Sequence, residues 1–234
     1  MRRALLTLCA VICSISVVSA KFTPKPFVMT IKYRGEISVG GAFCTQLHVP
    51  PQSGFLIEGG GETQLSRPFF ETVHGVMISD YIFVGGGIGA QFYAGKCGKD
   101  GKKWIKTKEG ADRWNVLTIP IFVNLKGFFP INDDLRPFIN FGLGGSVVAC
   151  SNATGEITYR DYYDEEYLNF KHKGGFYLDF GVGVDYKSWT FGLGVQHQRM
   201  AQSTEYRYSD PEWNRSYKYK AYCNSFYLKV GWNF

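Results

Sequence analysis

From about position 32 onward, apolar residues alternate with glycine or polar residues at period two. The stretch GFYLDFGVGVDY is the clearest case. Phe176, Leu178, Phe180, Val182, Val184 and Tyr186 share one face, while Tyr177, Asp179, Gly181, Gly183 and Asp185 share the other. WTFGLGVQHQ repeats the pattern, with Trp189, Phe191, Leu193 and Val195 set against Thr190, Gly192, Gly194 and Gln196. The closing stretch SFYLKVGWNF repeats it again: Phe226, Leu228, Val230, Trp232 and Phe234 oppose Tyr227, Lys229, Gly231 and Asn233. A helix would bring every third or fourth residue together, so strict alternation marks strands with one apolar face.

Eight such segments can be placed, near 32–44, 68–78, 82–94, 115–127, 136–150, 174–186, 189–200 and 222–234. SDY joins the second to the third, FPINDDL the fourth to the fifth, and KS the sixth to the seventh. The other connections, near 45–67, 95–114, 151–173 and 201–221, are long, polar and rich in charge and tyrosine. Short and long connections alternate. In an up-and-down arrangement the short turns therefore gather at one end and the long loops at the other. The predicted fold is all-β, an eight-stranded antiparallel up-and-down barrel.

Alternation alone does not say which face looks inward. A lipocalin-like soluble barrel would turn its apolar face to a ligand cavity, whereas a transmembrane barrel turns it to lipid and keeps a polar interior. The polar face here carries Arg34, Glu36, Lys126, Asp179, Asp185 and Lys229, which a dry ligand cavity could hold only as compensated pairs. Tyr33, Tyr186, Trp189, Trp232 and Phe234 fall where interfacial aromatic girdles belong. Loop asymmetry points the same way. The membrane reading is preferred, with Arg34, Glu36 and Lys229 expected to form an internal ion network.

The N-terminus reads MRRALLTLCAVICSISVVSA: two arginines, a short apolar core, then Val18-Ser19-Ala20. That is the layout of a cleaved signal peptide, with cleavage expected after Ala20. The expected division is a signal peptide at 1–20, a short periplasmic lead-in at 21–31 and a barrel domain at 32–234. Loss of Arg2 and Arg3 lowers the formal charge from +6 to +4. So mild an excess on an exported chain argues against a nucleic-acid partner. No further stretch is apolar for long enough to cross a membrane as a helix.

The ending resembles the terminal-strand signal of Gram-negative outer-membrane proteins, a final Phe preceded by apolar residues at alternate positions. Here those are Phe226, Leu228, Val230, Trp232 and Phe234. YRGEISVGG, YIFVGGGIGAQFY, IPIFVNLK and RPFINFGLGGS widen the likeness. From about Tyr33 to Phe234 the chain resembles the small outer-membrane β-barrel family, of OmpA-like or OmpX-like architecture. The resemblance implies residence in the outer membrane of a Gram-negative bacterium. It also implies contact with outer-membrane lipid and lipopolysaccharide, and handling by the outer-membrane assembly machinery. The family is functionally mixed, so it implies fold more firmly than activity.

Cys44, Cys97, Cys150 and Cys223 remain after cleavage, an even number in an oxidising compartment. Strand parity puts all four on the lumen side at the loop end. Cys44–Cys223 and Cys97–Cys150 are the expected bridges, the alternative being four unrelated small rim residues. The loop over 95–114 is basic through Lys96, Lys99, Lys102, Lys103, Lys106, Lys108 and Arg113. It is either a solvated cap or a site for lipopolysaccharide phosphates or an acidic surface polymer. The stretch YRDYYDEEY in the next loop is acidic and tyrosine-rich. It either pairs with the basic loop or offers a surface to a host or cell-surface polymer.

Catalysis would need a serine or histidine with a partner. The histidines are His48, His74, His172 and His197, and His172 with Glu165 or Glu166 is the candidate dyad, without a recognisable motif. FVGGGIG lacks the lysine of a phosphate-binding loop and reads as a strand relieved of crowding by its glycines. Neither a metal nor a cofactor is expected. The expected role is a non-enzymatic barrel that anchors four surface loops for envelope structure, surface interaction or adhesion. A narrow channel or small-ligand barrel stands as the alternative, with a lipid A-modifying enzyme behind it.

Overall fold

The computed structural model describes residues 29–48, 63–96, 113–158, 165–207 and 215–234. Nine strand segments run through them: β1 (Ile31–His48), β2 (Thr63–Ile78), β3 (Ile82–Lys96), β4 (Arg113–Phe128), β5 (Leu135–Thr158), β6 (Glu165–Lys173), β7 (Phe176–Tyr186), β8 (Trp189–Arg207) and β9 (Arg215–Asn233). β6 and β7 both pair with β5 on one side and β8 on the other, so they form one stave interrupted at Gly174 and Gly175. A Cβ on Gly174 would lie 1.7 Å from the Ser146 carbonyl oxygen, which explains why glycine occupies the break. The result is eight staves.

Every neighbouring pair is antiparallel, and β1 pairs with both β2 and β9. The sheet is therefore closed. The chain's end takes part in the closure: Gly35 N–H donates to the Phe234 carbonyl at 2.8 Å, and Phe234 N–H donates to the Gly35 carbonyl at 3.0 Å. Short turns gather at one end. Ser79 and Lys187 adopt positive φ there, and Asn132 Oδ1 accepts from the backbone N–H of Asp134 and Leu135.

Burial follows the alternation. Along β9, Phe226, Leu228, Val230, Trp232 and Phe234 are exposed, while Ser225, Tyr227, Lys229 and Asn233 are buried. The same holds on β8, where Phe191, Leu193 and Val195 are exposed and Thr190, Gln196 and Gln198 are buried. An exterior of Ile, Val, Leu and Phe around an interior of Arg, Lys, Glu, Asp and Gln is the inverse of a water-soluble protein. Tyr33, Tyr186, Trp189, Trp232 and Phe234 ring the turn end, and the Trp189 and Trp232 rings meet edge-on at 5.0 Å. Phe43, Phe70, Phe92, Phe176 and Phe226 are exposed toward the loop end. At about 3.3 Å per residue and a tilt of roughly 40°, the rise from Phe234 to Phe226 spans on the order of 20 Å. That matches the apolar height of an outer-membrane barrel.

The strands reach further at the loop end than alternation predicted. Residues 45–48, 63–67, 151–158, 165–173, 201–207 and 215–221, read from sequence as loop, continue as paired strands. β5 and β6 pair out to Thr158 and Glu165, and β8 and β9 to Tyr206 and Arg215. Beyond the apolar band the sequence loses its apolar alternation, while backbone pairing persists.

Leu193, 44% exposed near the middle of the band, tests the orientation. Leu193→Arg should cost about 2–4 kcal/mol in denaturant unfolding from lipid vesicles, the penalty for a charge at the bilayer midplane. An unchanged midpoint would mean that this face does not meet lipid.

Candidate functional site

The interior is packed rather than empty, and three aromatic pairs fill its girth. Phe122 and Tyr177 have centroids 5.2 Å apart, Phe128 and Phe138 5.6 Å, and Phe69 and Tyr227 5.9 Å. Gly87 makes room for one of them, since a Cβ there would lie 2.4 Å from the Phe122 ring. The FVGGGIG segment therefore does belong to a strand, β3, with Gly87 facing a bulky neighbour.

Between these rings runs a polar column. At the turn end Arg34 donates to Asp185 at 2.5 Å, Arg136 approaches the same carboxylate at 3.6 Å, and Thr190 donates to it at 2.6 Å. Next, Lys126 donates to Glu36, and Lys229 lies 3.9 Å from Glu36 and 3.8 Å from Glu71. Asn140 donates to Asp179 at 2.5 Å and accepts from Asn124 at 2.8 Å. Higher still, Arg67 donates to Gln196 and Ser225, each at 2.5 Å, and to the Tyr93 hydroxyl at 3.0 Å. Tyr93 donates to Gln198, which donates to Ser146 at 2.7 Å.

Several of these contacts cross the lumen. Tyr93 and Gln198 lie on β3 and β8, and Tyr177 and Glu71, 3.3 Å apart, on β7 and β2. Each pair is separated by three intervening staves in either direction. The Arg34–Asp185 and Lys126–Glu36 pairs reach almost as far.

Among the described residues four buried cations, Arg34, Arg67, Lys126 and Lys229, stand against four buried carboxylates, Glu36, Glu71, Asp179 and Asp185. The six charges predicted for the lumen all lie there, but Arg34 pairs with Asp185 and not with Glu36. Arg67 and Glu71 were missed. Arg67 falls in a stretch that the alternation reads as loop, and β2 is apolar on both faces: Phe69, Val73 and Met77 point inward while Phe70 and Val76 are exposed. Parity continued from Phe69 would have found both charged residues.

The cysteine expectations need correction. Cys150 is exposed, not lumen-facing. The β4–β5 register shifts between Leu117 and Thr118, so Cys150 faces Leu117 while Val148 faces Thr118. That bulge absorbs Ala149 and reverses the parity beyond it. Among the described residues Cys150 and Cys223 are both free thiols, and the side chain of the second cysteine of each predicted bridge lies outside them. Cys223 stands opposite Leu47 after a second shift between Phe43 and Gln46. Cys44 lies inside that shift, between the rungs Phe43–Phe226 and Gln46–Asn224. The Cys44 side chain and all of Cys97 lie outside the described residues.

Phe226, Leu228, Val230, Trp232 and Phe234 all face outward on β9. Of the basic stretch, Lys99, Lys102, Lys103, Lys106 and Lys108 lie outside the described residues, as do the side chains of Lys96 and Arg113. The signal peptide at 1–20 and most of the lead-in lie outside them too.

The histidines occupy three different settings. His74 sits at the turn end between Tyr33, at 2.6 Å, and Thr72, at 2.8 Å. His197 meets Asn224 at 2.6 Å on the outer face. His172 is buried near the loop end, 2.8 Å from the Ser151 hydroxyl through Nδ1. The side chains of Glu165, Glu166 and His48 lie outside the described residues. Sequence separation hid the Ser151–His172 contact, which only the β5–β6 hairpin creates. Among the described residues, no group of His, Cys, Asp and Glu is arranged to hold a metal ion.

No protein-family profile and no curated protein sequence matches the chain. Its fold is similar to that of the outer membrane protein OprG from Pseudomonas aeruginosa, with a TM-score of 0.51 at 12% identity over 86% of this chain and 95% of that one. Weaker likenesses are to the outer membrane protein AlkL (TM-score 0.43, 15% identity, 91% and 96% covered) and to Neisserial surface protein A (0.40, 10%, 88% and 99%). Closure, inverted polarity and the OprG likeness together define the class: a small eight-stranded β-barrel of the outer-membrane type.

Glu36 faces two lysines, so Glu36→Gln should destabilise the barrel by about 3–5 kcal/mol, the usual cost of leaving a buried charge unpaired. Adding Lys126→Met should recover part of the loss. Urea unfolding of the single and double variants in detergent measures both, and additive losses would show that the pair is not coupled.

Proposed function

We propose that this chain is exported through a signal peptide at residues 1–20 and inserted by its terminal strand, Phe226 to Phe234, into the outer membrane of a Gram-negative bacterium. There it serves as a non-catalytic anchor. It presents four loop-end hairpins to outer-membrane lipid and lipopolysaccharide on one side, and to a host or surface polymer on the other.

One observation carries this reading: the lumen is bridged from wall to wall. Hydrogen bonds between opposite staves, Tyr93 to Gln198 and Tyr177 to Glu71, cross the space a permeating solute would need. Eight strands leave an interior that side chains can fill, whereas open channels belong to larger barrels. A rigid filled barrel transmits nothing through its centre. Its chemistry is offered at the loop end, where β5, β6, β8 and β9 project as paired strands beyond the apolar band.

The Ser151–His172 contact favours one other reading, an acyl-transfer or hydrolytic site at the outer rim acting on lipid A. A serine hydroxyl held by an imidazole is its minimum requirement. Identical lipid A mass spectra from cells with and without the protein would exclude it.

Planar bilayers should show no discrete conductance steps after insertion of the folded protein. Reproducible steps would overturn the anchor reading in favour of a narrow channel. In fractionated cells the protein should appear with the outer membrane and begin at Lys21.

A further inference from the structure

On the described strands, where side chains are described, the outward-facing charges beyond the apolar band are all cationic and share one face. They are Lys171 and Lys173 on β6, Arg199 on β8, and Lys218 and Lys220 on β9. The register sets them in rows. Lys173, Ala201 and Lys220 stand side by side, and Lys171, Ser203 and Lys218 form the next row outward. Arg199 lies nearest the band, over the ring of its cross-strand partner Tyr222 at 5.9 Å. Glu205 follows one row beyond the lysines, at a position paired with Asn169 and Ser216.

The same face holds a groove of about 460 Å³ on the barrel's exterior, with walls that include Leu178, Phe180, Val195 and Phe226. His197 and Asn224, hydrogen-bonded to one another, sit on its rim between the apolar walls and Arg199. Height along β8 orders the chemistry: Val195 in the apolar band, His197 at its edge, Arg199 above it, then the row of Lys173 and Lys220. At about 3.3 Å per residue, Arg199 stands roughly 13 Å along the strand from Val195. That is headgroup depth.

We propose that this face of β6 to β9 is a binding site for one phosphorylated, multiply acylated glycolipid of the outer leaflet, the lipid A part of lipopolysaccharide. An acyl chain lies in the groove, the His197–Asn224 pair meets the polar linkage, and phosphates meet Arg199, Lys173 and Lys220. Three arguments select this occupant. In the two rows next above the band the charges whose side chains are described are of one sign, with Glu205 a row further out, so the ligand group at that height is anionic. The cations lie just beyond the band edge, where a lipid's phosphates must be. The groove continues downward into hydrocarbon, which a soluble polyanion would not use. The site is built from residues other than the basic stretch Lys99 to Lys108, where sequence alone pointed for such a contact.

The inference rests on the outer-membrane reading above, and one experiment separates their failures. The full exported chain is refolded in detergent, and its folding is checked by a mobility shift between unboiled and boiled gel samples. It is then incubated with lipid A, with dephosphorylated lipid A, and with lipid A plus excess inorganic phosphate, and examined by native mass spectrometry. The expected result is one retained lipid A, at least 10-fold less retention of the dephosphorylated form, and little competition by free phosphate. K173Q/R199Q/K220Q should lose at least 10-fold while keeping the gel shift, and K173R/K220R should retain binding. Equal retention of both lipids, an unaffected triple variant, or full displacement by inorganic phosphate would each overturn the lipid site while leaving the barrel intact. Failure of the wild-type chain to shift on the gel would overturn the membrane reading itself, and the site with it.

Discussion

Hydrocarbon offers a peptide group no partner, so every N–H and C=O crossing it must be satisfied within the protein. That constraint governs this fold. It requires β1 to find β9, which it does over Glu36 to Phe43 opposite Asn233 to Phe226. It also requires the last residue to be bonded, as Phe234 is, to Gly35 in both directions. Termini usually fray. Here an unpaired final strand would expose a row of backbone groups at several kcal/mol each. The aromatic C-terminus is thus part of the closure, and its side chain is part of the girdle.

Closure turns one face of every strand outward to lipid and the other inward, and the inward face inherits a second constraint. Charges there are shielded from bulk water, so they must compensate one another. Among the described residues four cations and four carboxylates balance in sum; six of them meet in ion pairs, while Arg67 and Asp179 are met by neutral hydrogen-bond partners. Arg34 also lies over Phe128, and Lys126 over Phe138, each 4.8 Å from the ring centroid. The aromatic rings thus fill volume and also face cations favourably. Because the strongest pairs join distant staves, they brace the barrel across its diameter as well as along its wall. Replacing such pairs by apolar side chains could leave stability unchanged, but it would surrender the cross-lumen connections that fix how opposite walls face each other.

The turn ends were legible in the sequence to within a residue or two, because girdle aromatics and tight turns mark them. The loop ends were not. Beyond Arg199 or Cys150 neither strand face is apolar, so the periodicity that betrays a strand disappears while hydrogen bonding continues. Parity located Arg34, Glu36, Lys126, Asp179, Asp185 and Lys229 on the inner face, because a strict period of two survives any error in strand ends. It failed at Cys150, where one extra residue reverses every later position and leaves no compositional trace. Pairing across the lumen was illegible for a different reason. Which inner residue meets Glu36 depends on the stagger of eight staves, and no local stretch of chain encodes that. The cationic face was hidden likewise, since only the register of three neighbouring staves sets its lysines and arginine side by side.

The two distributions of charge follow from one rule applied to two environments. Inside the wall, a charge is tolerated at any height provided a counter-charge or dense hydrogen bonding meets it, as Arg67 is met by Gln196, Ser225 and Tyr93. Outside the wall, no local partner compensates for contact with hydrocarbon, so an outward charge must wait until the strand has left the band. On β8 the outward positions run Trp189, Phe191, Leu193, Val195, His197 and Arg199, and the first full charge appears only at Arg199. That position therefore marks the height at which hydrocarbon gives way to headgroups. The interior charges hold the barrel together because they are neutralised by the protein. The outer ones stand on one face just above the apolar band, where the register of β6, β8 and β9 sets them in rows.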